Sequence, residues 1–292
     1  VTTAAAWVPA RAVGRVGSAG RERPVVHLDG RWFDARPFTD DIDPELLGSD
    51  GMASLFDAAD AGHLPVTSIE GDRIGPPVAG VRKIVCIGLN YRCHAAETGA
   101  TPPEEPVVFM KDPGCIVGPN DEVLIPRAST KTDWEVELAV VIGRTARYLA
   151  DPSEAQRHIA GYSISNDVSE REFQLERSGQ WDKGKSCETF NPLGPWLVPA
   201  TAIADVQALG LRLDVNATVR QDSSTANMIF PVDHLIWYLS QFMVLRPGDV
   251  VNTGTPAGVA LGLPDTPYLR PGDVIELEVE HIGRQRHVVG HA

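Results

Sequence analysis

The segment KTDWEVELAVVIGR, residues 131–144, constrains this chain more than any other. Its apolar and β-branched content reads as a strand, and side chains along a strand alternate between faces. Asp133, Glu135 and Glu137 therefore share one face, with Trp134, Val136, Leu138, Val140 and Ile142 on the other. The acid face then turns apolar, through Ala139 and Val141. Such a strand carries carboxylates onto a face that is becoming buried.

Two carboxylates about 4 Å apart repel by about 4 kcal/mol at an effective dielectric near 20, so water, protonation or a cation must offset them. The chain supplies its own comparison. IELEVE, residues 275–280, also alternates acids (Glu276, Glu278, Glu280), but its acid face stays polar and water suffices. At 135–137 water is less available, and a hard divalent cation held by oxygen ligands is the alternative. Asp167 closes the strand-like GYSISND and is the candidate third carboxylate; taken alone, it is as well explained as a cap or turn residue. Two acids from one strand and one from elsewhere suit Mg²⁺ or Mn²⁺, with positions left open for water and substrate.

The chain has 292 residues, 43% hydrophobic and 22% charged, with a formal net charge of −13. That charge argues against nucleic acid and anionic membrane as partners, and no apolar run is long enough for a membrane span. An anionic substrate then needs cations placed locally in its site. The N-terminal VTTAAAWVPARAVGRVG lacks the apolar core of a leader. Cys86, Cys93, Cys115 and Cys187 form no C-x-x-C pair, which reads as reduced thiols of a cytoplasmic protein.

Residues 1–75 read as a small N-terminal α+β domain and 76–292 as the main domain. VVHLDGRWF signals a hairpin about Asp29-Gly30, and PELLGSDGMASLFDAADAG contains a helix. GDRIGPPVAG, residues 71–80, reads as a linker. Beyond it the pattern is β-dominated α+β rather than alternating βαβ. VDHLIWYLSQFMVL is the clearest helix, with an apolar stripe of Leu235, Ile236, Leu239 and Phe242. LRPGDV occurs at 245–250 and 269–274 and predicts the same turn before two strands.

Other residues could serve the acid cluster. Arg171 and Gln174 follow Asp167 by four and seven residues, on roughly one face if that stretch is helical. Lys185 lies in the Gly/Pro-rich WDKGKSCETFNPLGPW. His94 and Glu97 are i and i+3 on a short helix, where the Glu can orient the imidazole. NTGTPAGV, residues 252–259, is a turn whose backbone can approach a ligand closely. Each has an ordinary alternative: a solvated lysine, a helix-surface pair, a plain turn.

Six segments together resemble the fumarylacetoacetate hydrolase family, in the family's order: IGLNYRCHAAETG, EPVVFMK, DWEVELAVVIG, NDVSEREFQ, GKSCETFNPLGPW and NTGTPAGV. The resemblance spans roughly residues 81–289. It implies a mixed β-sandwich-like roll with a small variable N-terminal domain, commonly a homodimer. It implies Glu135, Glu137 and Asp167 as ligands of Mg²⁺ or Mn²⁺, and His94 with Glu97 as the pair that activates water. Lys185 matches the family's site lysine, Arg171 and Gln174 match its substrate-contacting positions, and Thr255 lies in its Gly-Thr-Pro turn. The subgroup it resembles holds 2,4-diketo-3-deoxy-sugar-acid hydrolases, also labelled ureidoglycolate lyases; Asn191 departs from the Gly or Asp expected there.

The implied activity is metal-dependent hydrolysis of a carbon–carbon bond in a small anionic 2,4-dioxo acid, releasing pyruvate and a second acid. Alternatives within the resemblance are an oxaloacetate-type decarboxylase, a 2-hydroxydienoate isomerase and a ureidoglycolate lyase. A non-catalytic metal-dependent binding protein is the alternative from another class.

Overall fold

The computed structural model describes residues 8–97 and 99–292; residues 1–7, part of the stretch inspected for a leader and of the N-terminal domain predicted over 1–75, lie outside the described residues, as does residue 98. β1 (Arg11–Val16), β2 (Arg23–Leu28) and β3 (Arg31–Asp34) form an antiparallel meander. Asp29 and Gly30, at φ 48° and 84°, make the β2–β3 turn, the backbone that Asp-Gly favours. Helices α1 (Pro44–Gly48) and α2 (Gly51–Asp60) follow. The Asp43 side chain starts α1 by accepting the N–H groups of Glu45 and Leu46. β4 (Val66–Thr67) returns to pair with β3.

The stretch predicted as a linker is pinned. Gly17 donates its N–H to the Arg73 carbonyl and Gly75 donates to that of Arg15, each at 2.8 Å. The Arg73 guanidinium bridges Glu22 and Asp121 at 2.8 and 2.5 Å. Its Gly/Pro content weakens regular structure, but its backbone groups still require partners, and β1 supplies them.

The rest of the chain contributes β5 (Ile84–Gly88), α3 (Arg92–Glu97), β6 (Val107–Lys111), β7 (Ile116–Val117), β8 (Val123–Ile125), β9 (Thr132–Asp133) and β10 (Val136–Ile142). Then come β11 (Ile159–Asn166), β12 (Ser169–Glu170), α4 (Asp182–Lys185), β13 (Asn191–Pro199), β14 (Gly210–Val215) and β15 (Thr218–Ser224). α5 (Val232–Phe242), β16 (Val250–Asn252), β17 (Val274–Val279) and β18 (Gly283–His291) complete it. Among the described residues the main sheet runs β4-β3-β2-β1-β13-β11-β10-β16-β5-β6, with β7 beside β13. A second sheet runs β15-β14-β17-β18-β8. The β16–β5 and β18–β8 pairs are parallel and most others antiparallel, so the fold is the strand-rich mixed α+β arrangement expected.

β10 is buried along its whole length. Val136, Leu138, Val140 and Ile142 pack into one apolar body with Leu235, Ile236 and Leu239 of α5 and with β14 and β17. Ala139 and Val141, on the acid face, pack into another that includes Val13, Val26, Leu46 and Leu55 of the N-terminal segment. The acid face therefore turns apolar as it enters a core shared with the N-terminal segment. Phe242 departs from its predicted stripe: as the last residue of α5 it is 67% exposed, resting on Tyr238 with ring centroids 4.8 Å apart. The two LRPGDV copies do make one turn twice. Asp249 and Asp273 each accept the N–H of the Arg three residues earlier, at 2.6 and 2.7 Å, and Gly248 and Gly272 sit at φ 82° and 89°.

Candidate metal centre and active site

β10 and β11 run antiparallel with Glu137 opposite Ser165 and Val136 opposite Asn166. Asp167, the next residue, thus arrives beside Glu135, and its N–H donates to the Glu135 carbonyl at 3.0 Å. The Glu135 N–H in turn donates to the Asn166 side-chain oxygen at 3.1 Å. One oxygen from each of Glu135, Glu137 and Asp167 lies within 4.8 Å of the others, and all three residues are buried. The comparison strand behaves as its pattern implied. Glu276 and Glu278 of β17 reach outward to Arg286 and Arg284 on β18, and Glu276 is exposed.

Asp133 faces a different task. The strand is interrupted at Trp134 and Glu135, between β9 and β10, so strict alternation does not carry Asp133 to the other two acids. Its carboxylate instead accepts the N–H groups of Ala260 and Leu261 at 2.8 and 3.0 Å and pairs with Arg171 Nε at 2.8 Å.

Three buried cations answer the acids. Lys185 Nζ, at the end of α4, lies 2.9 Å from Glu135 and 3.0 Å from Asp167. Arg171 Nη2 lies 2.7 Å from Glu135, and its Nη1 donates to Gln174 Oε1 at 3.0 Å. Lys111, which closes β6, pairs with the other oxygen of Asp167 and donates to the carbonyls of Phe190 and Val168 at 2.6 and 3.2 Å. Three acceptors use all three ammonium protons, so Lys111 is a support rather than a group facing substrate. Gly184 makes room for the α4 turn: a Cβ there would meet the Glu170 carbonyl at 2.3 Å.

These partners split the two glutamates. Burial opposes the Glu135 carboxylate, but Lys185 and Arg171 outweigh it and hold its pKa near about 2. Burial, then the charges of Asp167 and Glu135, push Glu137 well above the usual carboxylate range. Glu137 accepts the Gly254 N–H at 2.7 Å and makes no ion pair among the described residues. A buried all-oxygen set in which one acid lacks a protein cation fits a hard divalent ion, and Glu135, Glu137 and Asp167 are the residues to hold it.

α3 faces this centre. His94 is buried, its Nδ1 3.4 Å from Glu97 Oε1, and Glu97 Oε2 accepts the Gly258 N–H at 2.7 Å. His94, Glu135, Glu137, Arg171, Gln174, Lys185 and Thr255 all line one cavity of about 260 Å³. Glu97 does not line it; it stands behind His94. Thr255 Oγ1 donates to the Val136 carbonyl at 2.9 Å and accepts from Gln221 at 2.8 Å, so this hydroxyl also ties the turn to β10. Asn191 lies deeper, accepting from Ser165 and Asn252 at 3.1 and 2.9 Å.

Sequence reading overlooked Lys111, Gln221 and the cavity's aromatic wall, Phe109 and Trp181. The signal for Lys111 was there: it ends the apolar run VVFMK at the position that shares a face with Phe109. Gln221 offered none, because its partners are 34 and 85 residues away in sequence.

A buried carboxylate triad beside a buried lysine, on a strand-rich roll, defines an enzyme scaffold with three acids gathered in the arrangement a hard cation requires. The family model described as fumarylacetoacetate (FAA) hydrolase C-terminal matches residues 83–290, and the chain belongs to the fumarylacetoacetate hydrolase family. A Burkholderia lata protein named only as a hydrolase is 48% identical over 273 residues, covering 93% of this chain and 96% of the relative. Fumarylacetoacetate hydrolase from Exiguobacterium antarcticum is 34% identical, with a TM-score of 0.85, covering 97% of this chain and 100% of that one. A 5-carboxymethyl-2-hydroxymuconate delta-isomerase from Mycobacterium smegmatis is 32% identical, with a TM-score of 0.76 and coverages of 96% and 99%. Maleylpyruvate hydrolase from a Sphingobium species, in complex with manganese(II) and pyruvate, is 25% identical, with a TM-score of 0.80 and coverages of 96% and 99%. No helix among the described residues is long and apolar enough to cross a membrane.

Proposed function

We propose that this protein is a divalent-metal-dependent hydrolase that cleaves the C3–C4 bond of a 2,4-dioxo acid, releasing pyruvate and a second carboxylic acid. The observation that carries this reading is that His94, with Glu97 behind it, lines the same cavity as Glu135 and Glu137, two of the three clustered acids. An isomerase or decarboxylase acting through the same enolate needs no base for water; a hydrolase does. The manganese and pyruvate held by the Sphingobium hydrolase support both the metal and the product.

Glu135, Glu137 and Asp167 would hold the Mg²⁺ or Mn²⁺ ion, which would supply positive charge to polarise the 2-oxo group. His94 takes a proton from water, and Glu97 fixes the ring and balances its charge. The hydroxide adds to the C4 carbonyl. The C3–C4 bond breaks, C4 leaves as the carboxylic acid, and the bonding pair remains on C3 as the pyruvate enolate. The imidazolium returns a proton to C3, directly or through water. Lys185, beside Glu135 and Asp167, adds positive charge where negative charge develops, and Arg171 with Gln174 positions the substrate's polar end.

The test is acetylpyruvate given to chelator-stripped protein, with and without Mn²⁺ or Mg²⁺, following enol absorbance and pyruvate. Metal-dependent pyruvate release is the expected result. Metal binding without pyruvate release, together with isomerisation of a 2-hydroxydienoate, would replace hydrolase by isomerase.

A further inference from the structure

The cavity has two halves of opposite character. Glu135, Glu137, Arg171, Gln174, Lys185 and His94 make one; Ile87, Leu89, Phe109, Leu175, Trp181 and Leu261 make the other. The apolar half begins beside the polar one, since the Phe109 ring centroid lies 5.1 Å from Lys185 Nζ. Trp181 continues it, edge-on to Phe109 with centroids 5.4 Å apart. Gly88 allows this placement: a Cβ there would come within 2.6 Å of the indole ring. Leu175, 43% exposed, sits at the outer edge.

Among the described lining residues the permanent cations are Arg171 and Lys185. Both are already engaged, Arg171 by Asp133 and Glu135, and Lys185 by Glu135 and Asp167. A 2-oxo acid placed with its oxo-carboxylate end at the triad extends its far end along Phe109 and Trp181. A second carboxylate there has no cation to meet, and a polyol chain has no ring of donors, so both lose hydration without replacement.

We infer that the substrate's acyl group is uncharged and apolar, an alkyl chain or aromatic ring, and that Phe109 and Trp181 select it. This rests on the reading of the site as one for 2-oxo acids. It sets the chain apart from enzymes for dicarboxylates and for deoxy-sugar acids.

Binding of unreactive 2-oxo acids to the Mn²⁺-loaded protein, measured by calorimetry, tests the inference without needing turnover. From 2-oxobutanoate to 2-oxohexanoate, affinity should rise about fourfold per methylene, the equivalent of ~0.8 kcal/mol each. 2-Oxoglutarate should bind at least tenfold more weakly than 2-oxohexanoate. Trp181→Ala should flatten the chain-length series, and Leu175→Lys, at an exposed position, should move the preference toward 2-oxoglutarate. Equal or tighter binding of 2-oxoglutarate by the unaltered protein overturns the inference, as does failure of every 2-oxo acid to bind. Turnover of acylpyruvates is read separately. Apolar preference in binding with no pyruvate from any acylpyruvate removes the hydrolase reading and leaves the inference standing. Faster hydrolysis of maleylpyruvate than of hexanoylpyruvate removes the inference and leaves the hydrolase.

Discussion

Glu97 and Gly258 are joined by a 2.7 Å hydrogen bond, from the backbone N–H of the glycine to the carboxylate that also faces His94. The bond locks α3 to the turn following β16, so the dyad is oriented by the main chain as well as by its own helix. Gly262 leaves the space Glu97 occupies; a Cβ there would fall 2.2 Å from the Glu97 side chain. Gly262→Ala should therefore displace Glu97 without touching the cavity. Turnover should fall about 10- to 100-fold with little change in KM, the scale of a misplaced catalytic group. Steady-state kinetics decide it, and unaltered kcat would show that Glu97 does not orient the base.

His94→Ala separates base from metal. It should keep Mn²⁺ affinity, read by electron paramagnetic resonance, while hydrolysis drops about 100-fold or more. Normal hydrolysis by this variant would remove His94 from the mechanism.

The two lysines on Asp167 should respond differently to methionine. Lys111 is fully enclosed and bonded on three sides, so Lys111→Met strands a buried carboxylate and should cost about 3–5 kcal/mol of stability. Lys185 lines the cavity, where water can replace it in part. Lys185→Met should lose less stability and more turnover. Urea melts and kinetics on the pair give the answer; equal stability losses would refute the division of labour.

Glu137 strains the metal-free protein, because burial and the charges of Asp167 and Glu135 all act against its ionisation. Glu137→Gln puts a permanently neutral group in this position and should raise the melting temperature of stripped protein. Added Mn²⁺ should stabilise the unaltered protein by about 2.7 kcal/mol at a hundred times its Kd, and the variant by far less. Thermal melts with and without metal test both halves.

His287 gives the protein an acid limit unrelated to the site. Its Nδ1 bonds the Asp121 carbonyl at 2.9 Å, and Nε2 lies 3.0 Å from the Gln285 side-chain oxygen. A second proton would bond that oxygen, but the loss of hydration outweighs it, and burial pulls the pKa down to about 4. The unfolded chain takes up this proton near pH 6.5 and the folded chain near 4, so the unfolded state binds more protons in between. Stability from this residue is complete above about pH 6.5 and falls as pH drops toward 4, by up to about 3 kcal/mol. His287→Gln should flatten the melting temperature over that range, and an unchanged slope would place the sensitivity elsewhere.

The site was legible where local pattern and long-range packing agree. Glu135 and Glu137 declared themselves because their face runs on into Ala139 and Val141, and IELEVE showed what a solvated acid face looks like in the same chain. The twin LRPGDV turns were legible because each is closed by its own aspartate. Asp133 misled because alternation holds only while a strand is unbroken, and this one breaks at Trp134. Lys111 passed unnoticed because a lysine's ordinary place is in water; its three buried acceptors come from Asp167, Val168 and Phe190, more than fifty residues away. The aromatic wall could not be read because Phe109 and Trp181 meet only when α4 lies against β6.

The apolar continuation of the acid face into a core shared with the N-terminal segment has a thermal consequence. The backbone that carries Glu135 and Glu137 runs, two residues on, into the same apolar body as Val13, Val26 and Leu55. A looser fit there, as from Leu55→Ala, should lower the temperature at which Mn²⁺ is released while leaving every ligand in place. The part of the chain with no chemistry of its own then acts as the enzyme's thermostat.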